Sequence, residues 1–107
     1  MNTKEFVEAF YNEKQDFIED YMSNNSKSSV AAFIKQLNLD SEQQQVLKKI
    51  LDVSFTDIFY TILLGIDGAA SIGGVQEMYD LKDESGNQLS GNGEIESQAY
   101  DFFHNKK

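Results

Sequence analysis

The stretch from Val46 to Ile66 is the most apolar part of the chain. Its first half is amphipathic: Val46, Leu47, Ile50 and Leu51 share one face, with Lys48, Lys49 and Asp52 opposite. From Val53 onward apolar side chains come nearly all round. A helix apolar on one stripe lies on a surface, whereas one apolar all round is covered by other elements. The pattern therefore predicts a central helix over 41–65, packed by the rest of the chain. Asp40 is a good N-cap, and Gln43 three residues later completes a capping box. Gly65 or Gly68 ends the helix. Val53, Ser54, Phe55 and Thr56 are weaker helix formers and mark a place for a break.

Three further helices are predicted around it. Phe6, Val7, Phe10, Phe17, Ile18 and Tyr21 recur at helical spacing over 3–22, with a gap near Lys14. Glu5, Glu8, Asp16 and Glu19 lie along its polar side. After the polar loop Ser23–Lys27, Ser28 or Ser29 caps a second helix over 28–37. Val30, Phe33, Ile34 and Leu37 form its one-sided stripe, and it ends near Asn38, a residue that tolerates the left-handed conformation. A last helix over 93–104 turns Ile95, Ala99, Phe102 and Phe103 inward, with Asn92 or Gly93 as its cap.

Between the third and fourth helices the period changes. Asp67 to Gly74 is a loop of small residues, without the lysine and hydroxyl of a P-loop or the spacing of a dinucleotide fingerprint. Asp67 is placed to cap it by accepting from the amides of Gly68 to Ala70. Val75 to Leu81 reads as a strand, with Val75, Tyr79 and Leu81 on one face and Glu77 spoiling clean alternation. Lys82 to Asn87 is a polar turn, and Gln88-Leu89-Ser90 is a short return strand. The expected fold is α+β, mostly α. About four helices surround a central apolar helix, one small antiparallel β-hairpin precedes the last helix, and residues 1–107 form a single domain.

Charge narrows the function classes. The net charge is −9, and all nine basic residues are lysines. Residues 3–23 carry six acids against Lys4 and Lys14, and residues 24–66 balance four acids with four lysines. Residues 67–101 carry eight acids against Lys82 alone. A chain with acidic ends and a neutral middle lacks the cationic footprint that nucleic acid or an anionic membrane requires. Its natural complement is a cationic protein. The apolar run Ile58–Ile66 is too short to span a bilayer, and no apolar h-region follows Met1. The absence of cysteine excludes a disulfide framework and thiolate metal sites, and fits a reducing cytoplasm.

Catalytic chemistry finds little support. His104 is the sole histidine and lies near a chain end, where it reads as a surface or helix-terminal residue. Carboxylates on outward helix faces are solvated, whereas catalytic acids need burial or a close like charge. The oxygen-rich stretch Asp80–Asn87 does not match the EF-hand pattern and reads as a turn. Asp57 sits inside apolar sequence, so it must reach the surface or find Tyr60, Lys48 or Lys49. No enzyme activity, cofactor or metal is expected.

Taken together, these features resemble the small acidic immunity proteins of bacterial toxin–immunity systems. The stretch Phe59–Ala69 also resembles a helix-to-loop segment found in bacterial proteins of this size. The likeness lies in size, charge and organisation, so it transfers no individual residue. It implies a cytoplasmic, non-catalytic interaction domain that neutralises a cationic toxin or nuclease by covering its active site. The acids that follow the central helix give the candidate contacts: Glu77, Asp80, Asp83 and Glu84 on the ribbon, with Glu94, Glu96 and Tyr100 beside them. Two other classes remain: a structural or adaptor subunit that dimerises through the ribbon edge, and a DNA mimic whose acids are spaced like phosphates.

Overall fold

The computed structural model describes residues 1–105. It contains α1 (Thr3–Tyr21), α2 (Ser29–Gln36), α3 (Ser41–Ile66) and α4 (Glu94–Tyr100), the last running on into a π-helical turn, Asp101–Asn105. Each of the first three helices starts where a side chain satisfies its free amides. Asn2, one residue before Thr3, caps α1: its Oδ1 accepts from Glu5 N at 2.8 Å, and Glu5 Oε1 accepts from Asn2 N at 2.9 Å. The Ser28 hydroxyl accepts from Ala31 N at 3.1 Å, and α2 is followed by Asn38 at φ 51°. The Asp40–Gln43 pair closes the same reciprocal box on α3, at 2.8 and 3.0 Å. That helix then runs unbroken for 26 residues, through the weaker helix formers at Val53–Thr56.

The core lies at one end of the molecule. Val7, Leu63, Ile95, Ala99, Phe102 and Phe103 are buried together, and rings from α1 and α3 close over them. Phe6 and Phe10 meet edge to face at 5.1 Å, Phe10 meets Phe59 at 6.1 Å, and Phe59 meets Phe103 at 6.3 Å. The π-helical turn serves this packing. Adjacent residues of an α-helix point about 100° apart, and the wider turn lets Phe102 and Phe103 both enter the core.

Two expectations are overturned. The first is the β-hairpin, and with it the α+β class. The described residues are 62% helical with 4% in strand-type bridges and no sheet. The pairs Ile72–Val75 and Lys82–Gln88 are isolated bridges. Gly73 and Gly74, at φ 59° and 81°, form a two-residue turn that folds Val75 straight back onto Ile72, so Val75 cannot begin a strand. Further on, Leu89 N donates to Leu81 O at 2.8 Å. There a side chain replaces the next rung: Leu81 N donates to Ser90 Oγ at 2.8 Å, and Ser90 Oγ donates to Tyr79 O at 2.8 Å. The ladder stops because a buried hydroxyl, not a strand, meets those backbone groups.

The second correction concerns α3, which is not wrapped along its length. Leu63 and Gly65 are its only fully buried residues among those described, whereas Val46, Ile50, Val53 and Ile58 are each more than half exposed. The helix is about 39 Å long at 1.5 Å per residue, and the core engages only its C-terminal part. The molecule is accordingly elongated, 47 × 29 × 26 Å, with a radius of gyration of 16.2 Å. A compact chain of this length would have about 13 Å.

One polar contact ties the projecting part of α3 to α1. Lys14 fills the gap in the apolar stripe of α1, with its side chain 5% exposed. Its ammonium donates to Asp52 Oδ1 at 2.7 Å and Thr56 Oγ1 at 3.1 Å, and lies 5.0 Å from the centre of the Tyr11 ring. Asp52 is 53% exposed, so the pair is half in water. Two stability outcomes follow. Leu63→Ala should cost about 3 kcal/mol in urea unfolding, as a deletion at the centre of a closed core. Asp52→Ala should cost about 1–2 kcal/mol by leaving the Lys14 ammonium desolvated, more than an exposed pair is worth. In the same assay the double variant Lys14→Met/Asp52→Ala should be milder than Asp52→Ala alone.

Candidate functional site

The segment from Asp67 to α4 carries the acidic excess, and three buried or anchored polar side chains hold it in place. The first is Asp67, which follows the last turn of α3 and is 6% exposed. It does not cap its own loop. Its Oδ1 accepts from Gly91 N at 2.8 Å and its Oδ2 from Glu96 N at 3.1 Å. Glu96 is the third residue of α4, whose own N-cap is Gly93 at φ 80° with no side chain to offer. Asp67 therefore supplies the missing cap from another element, with its negative charge at the positive end of the α4 dipole. Gly68 makes the exit from α3 at φ 77°, and the Met78 thioether lies against it where a side chain would stand.

Ser90, described above, is the second anchor. The third is Asp83. Its Oδ1 accepts from Ser85 N and Asn87 N, both at 2.9 Å. Its Oδ2 accepts from Asn87 Nδ2 at 2.9 Å and from the Met1 amine at 3.0 Å. The Asn87 side-chain amide, then its backbone N–H, then the Met1 amine hold the Asp83 carboxyl well below the usual carboxylate range. Asp83 was a candidate contact. The structure makes it a turn-former, its side chain only 11% exposed.

The other candidate residues reach solvent. Glu77, Asp80 and Glu84 on the loop and Glu94, Glu96 and Tyr100 on α4 are all exposed. Asp80 pairs with Lys82 at 3.2 Å, and Gln88 followed by Lys82 holds its carboxyl below the ordinary value. Glu96 and Tyr100 come together with two residues not assigned to this surface. The His104 ring meets Tyr60 edge-on at 4.3 Å and lies 5.8 Å from Tyr100. Burial raises the Tyr60 phenol above its usual value, and the Glu96 carboxylate and Tyr100 raise it further. Asp57 solves its burial problem by reaching the surface.

Sequence reasoning missed the apolar residues of the loop. Val75, Met78 and Tyr79 are 57%, 64% and 42% exposed beside Glu77 and Asp80. The alternating pattern places Val75 and Tyr79 on one face of a strand. The signal against that was the Gly73-Gly74 pair, which already spends Val75 in a turn. Among the described residues no group of three metal-capable side chains occurs, and no helix is long and apolar enough to cross a membrane. Comparison with protein-family models, with curated proteins and with solved structures returns no match to this chain.

The anchors generate two outcomes. Asp67→Ala leaves two part-buried amides without an acceptor and should cost about 3 kcal/mol in urea unfolding. The second concerns pH. A depressed carboxyl stabilises the fold at pH values above the unfolded-state value, about 3.9, and that contribution is lost only as pH falls through the folded value. The amide NMR signals of Ser85 and Asn87 should therefore hold their positions down to about pH 3. A midpoint near the ordinary carboxylate value would contradict the assignment.

Proposed function

We propose that this chain is a non-catalytic protein-interaction domain that docks a cationic protein on the exposed acids of the 75–84 loop and α4. The reading is of the immunity type, in which the bound protein is a toxin or nuclease held inactive. The observation that carries it is the exposure of Glu77, Asp80, Glu84, Glu94 and Glu96 on a segment whose only lysine is Lys82. Exposed carboxylates of one sign steer a basic partner and set its orientation. Val75, Met78, Tyr79 and Tyr100 supply the apolar area that gives such a contact its lasting affinity. Asp67, Ser90 and Asp83 fix the loop before binding, which lowers the ordering cost of association.

The other two classes have less behind them. Dimerisation through a ribbon edge needs a strand edge, and the described residues contain none. A DNA mimic needs an uninterrupted row of phosphate-like charges, and Lys82 breaks the row by pairing with Asp80.

The test is capture from the lysate of the native host on the immobilised protein, followed by mass spectrometry. Beside it runs the variant Glu84→Lys/Glu94→Lys/Glu96→Lys. A basic protein should bind the wild type, elute with salt, and associate with the variant at least about tenfold more slowly. A captured protein that binds both equally, with no salt dependence, would overturn the reading.

A further inference from the structure

The acidic face leaves the opposite end of the molecule unexplained. There Leu37 and Leu39, between α2 and α3, and Val46, Leu47 and Ile50 of α3 line an open groove of about 510 Å³, with Glu42 and Gln43 also in its lining. Exposed apolar residues also recur along both helices. On α2 and its C-cap, Val30, Phe33 and Leu37 recur at i, i+3 and i+7 and are 37%, 65% and 60% exposed. On α3, Val46, Ile50 and Val53 recur at i, i+4 and i+7 and are 54%, 55% and 60% exposed. Spacings of three and four are those of a helix seam that packs on another helix. Those six residues expose roughly 600 Å² per molecule, the upper end of the roughly 300–600 Å² that the largest apolar patch of a monomer reaches, a size that often marks a functional surface.

Charge indicates what covers this face. Residues 28–54 carry Lys35, Lys48 and Lys49 against Asp40, Glu42 and Asp52, a net charge of zero, whereas the whole chain carries −9. Two copies repel wherever their acidic parts approach, and this arm is where they meet with the least of that penalty, the adjoining half of α1 adding Glu13, Asp16, Glu19 and Asp20 against Lys14. A cationic partner gains nothing here over the acidic face. The area agrees: a standard interface buries about 800 Å² per partner, and the six side chains with the groove walls approach that figure. The projection of α3 beyond the core leaves room for a second molecule to lie alongside it.

We propose that the arm built from α2 and the N-terminal half of α3 is a self-association surface, on which a second copy of this chain packs through a two-fold contact centred on Phe33, Leu37, Val46 and Ile50. An isologous contact places the same seam on both sides, so each copy covers the other's apolar face and the acidic faces stay free at the outer ends.

Analytical ultracentrifugation of the full chain from about 1 µM to about 1 mM tests this. The wild type should move from 12.1 kDa toward twice that mass, and raising NaCl from about 0.05 to about 0.5 M should leave the association intact or strengthen it. Ile50→Glu and Phe33→Glu, both at exposed positions, should keep full helicity by circular dichroism and weaken dimerisation at least about 100-fold, because a carboxylate is expensive to bury in an apolar contact. As a control, Glu84→Lys/Glu94→Lys/Glu96→Lys should dimerise like the wild type. A wild type that stays at 12.1 kDa throughout, whether or not another protein binds the face, would overturn the proposal, as would folded Ile50→Glu and Phe33→Glu variants that dimerise normally.

Discussion

The structure depends on a mismatch of lengths. A helix of 26 residues passes through a core that engages only its C-terminal part, around Leu63. Burial is the main favourable term in folding, and here it is concentrated where α1, α4 and the π-helical turn converge on Phe59, Leu63 and Phe103. The remainder of α3 is held by fewer contacts, among them the Lys14–Asp52 and Lys14–Thr56 bonds and the Tyr21–Phe55 ring contact at 6.0 Å. The chain is thereby divided into a packed end and a projecting arm.

The same division organises the charge. At the packed end, Asp67 joins the end of α3 to the start of α4, and a carboxylate at that point favours the positive end of the second helix. Around it the chain spends one further acid, Asp83, on structure and leaves the others in solvent. Within residues 28–54 the charges cancel, and Val30, Phe33, Leu37, Val46, Ile50 and Val53 are exposed. One end thus favours encounter with an oppositely charged molecule, and the other favours contact with a neutral apolar surface.

Local rules carried much of the fold into view from the sequence. The boundaries expected at 3–22, 28–37 and 41–65 match Thr3–Tyr21, Ser29–Gln36 and Ser41–Ile66 closely, because caps such as Asp40–Gln43 and Ser28 act over three residues. Non-local effects stayed hidden. The all-round apolar pattern after Val53 suggested burial, but it does not say how many other elements exist to cover it. The 75–90 segment alternated well enough for a hairpin, yet the Gly73-Gly74 turn and the Ser90 hydroxyl took the backbone groups that a ladder needs. Of the candidate site residues, Glu77, Asp80, Glu84, Glu94, Glu96 and Tyr100 lie exposed, while Asp83 is claimed by its own turn. Lys14 looked like a gap in a stripe; its partner, 38 residues away, appears only once α1 and α3 are packed.

The most direct measurement is amide hydrogen exchange along α3, made at low and at high protein concentration. A helix anchored at one end and covered by a second copy at the other should show slow exchange over 58–66 at every concentration. Over 42–54 exchange should be fast in dilute solution and become protected as concentration rises. Uniform protection along all of α3, unchanged by concentration, would contradict the division into a packed end and an unpartnered arm.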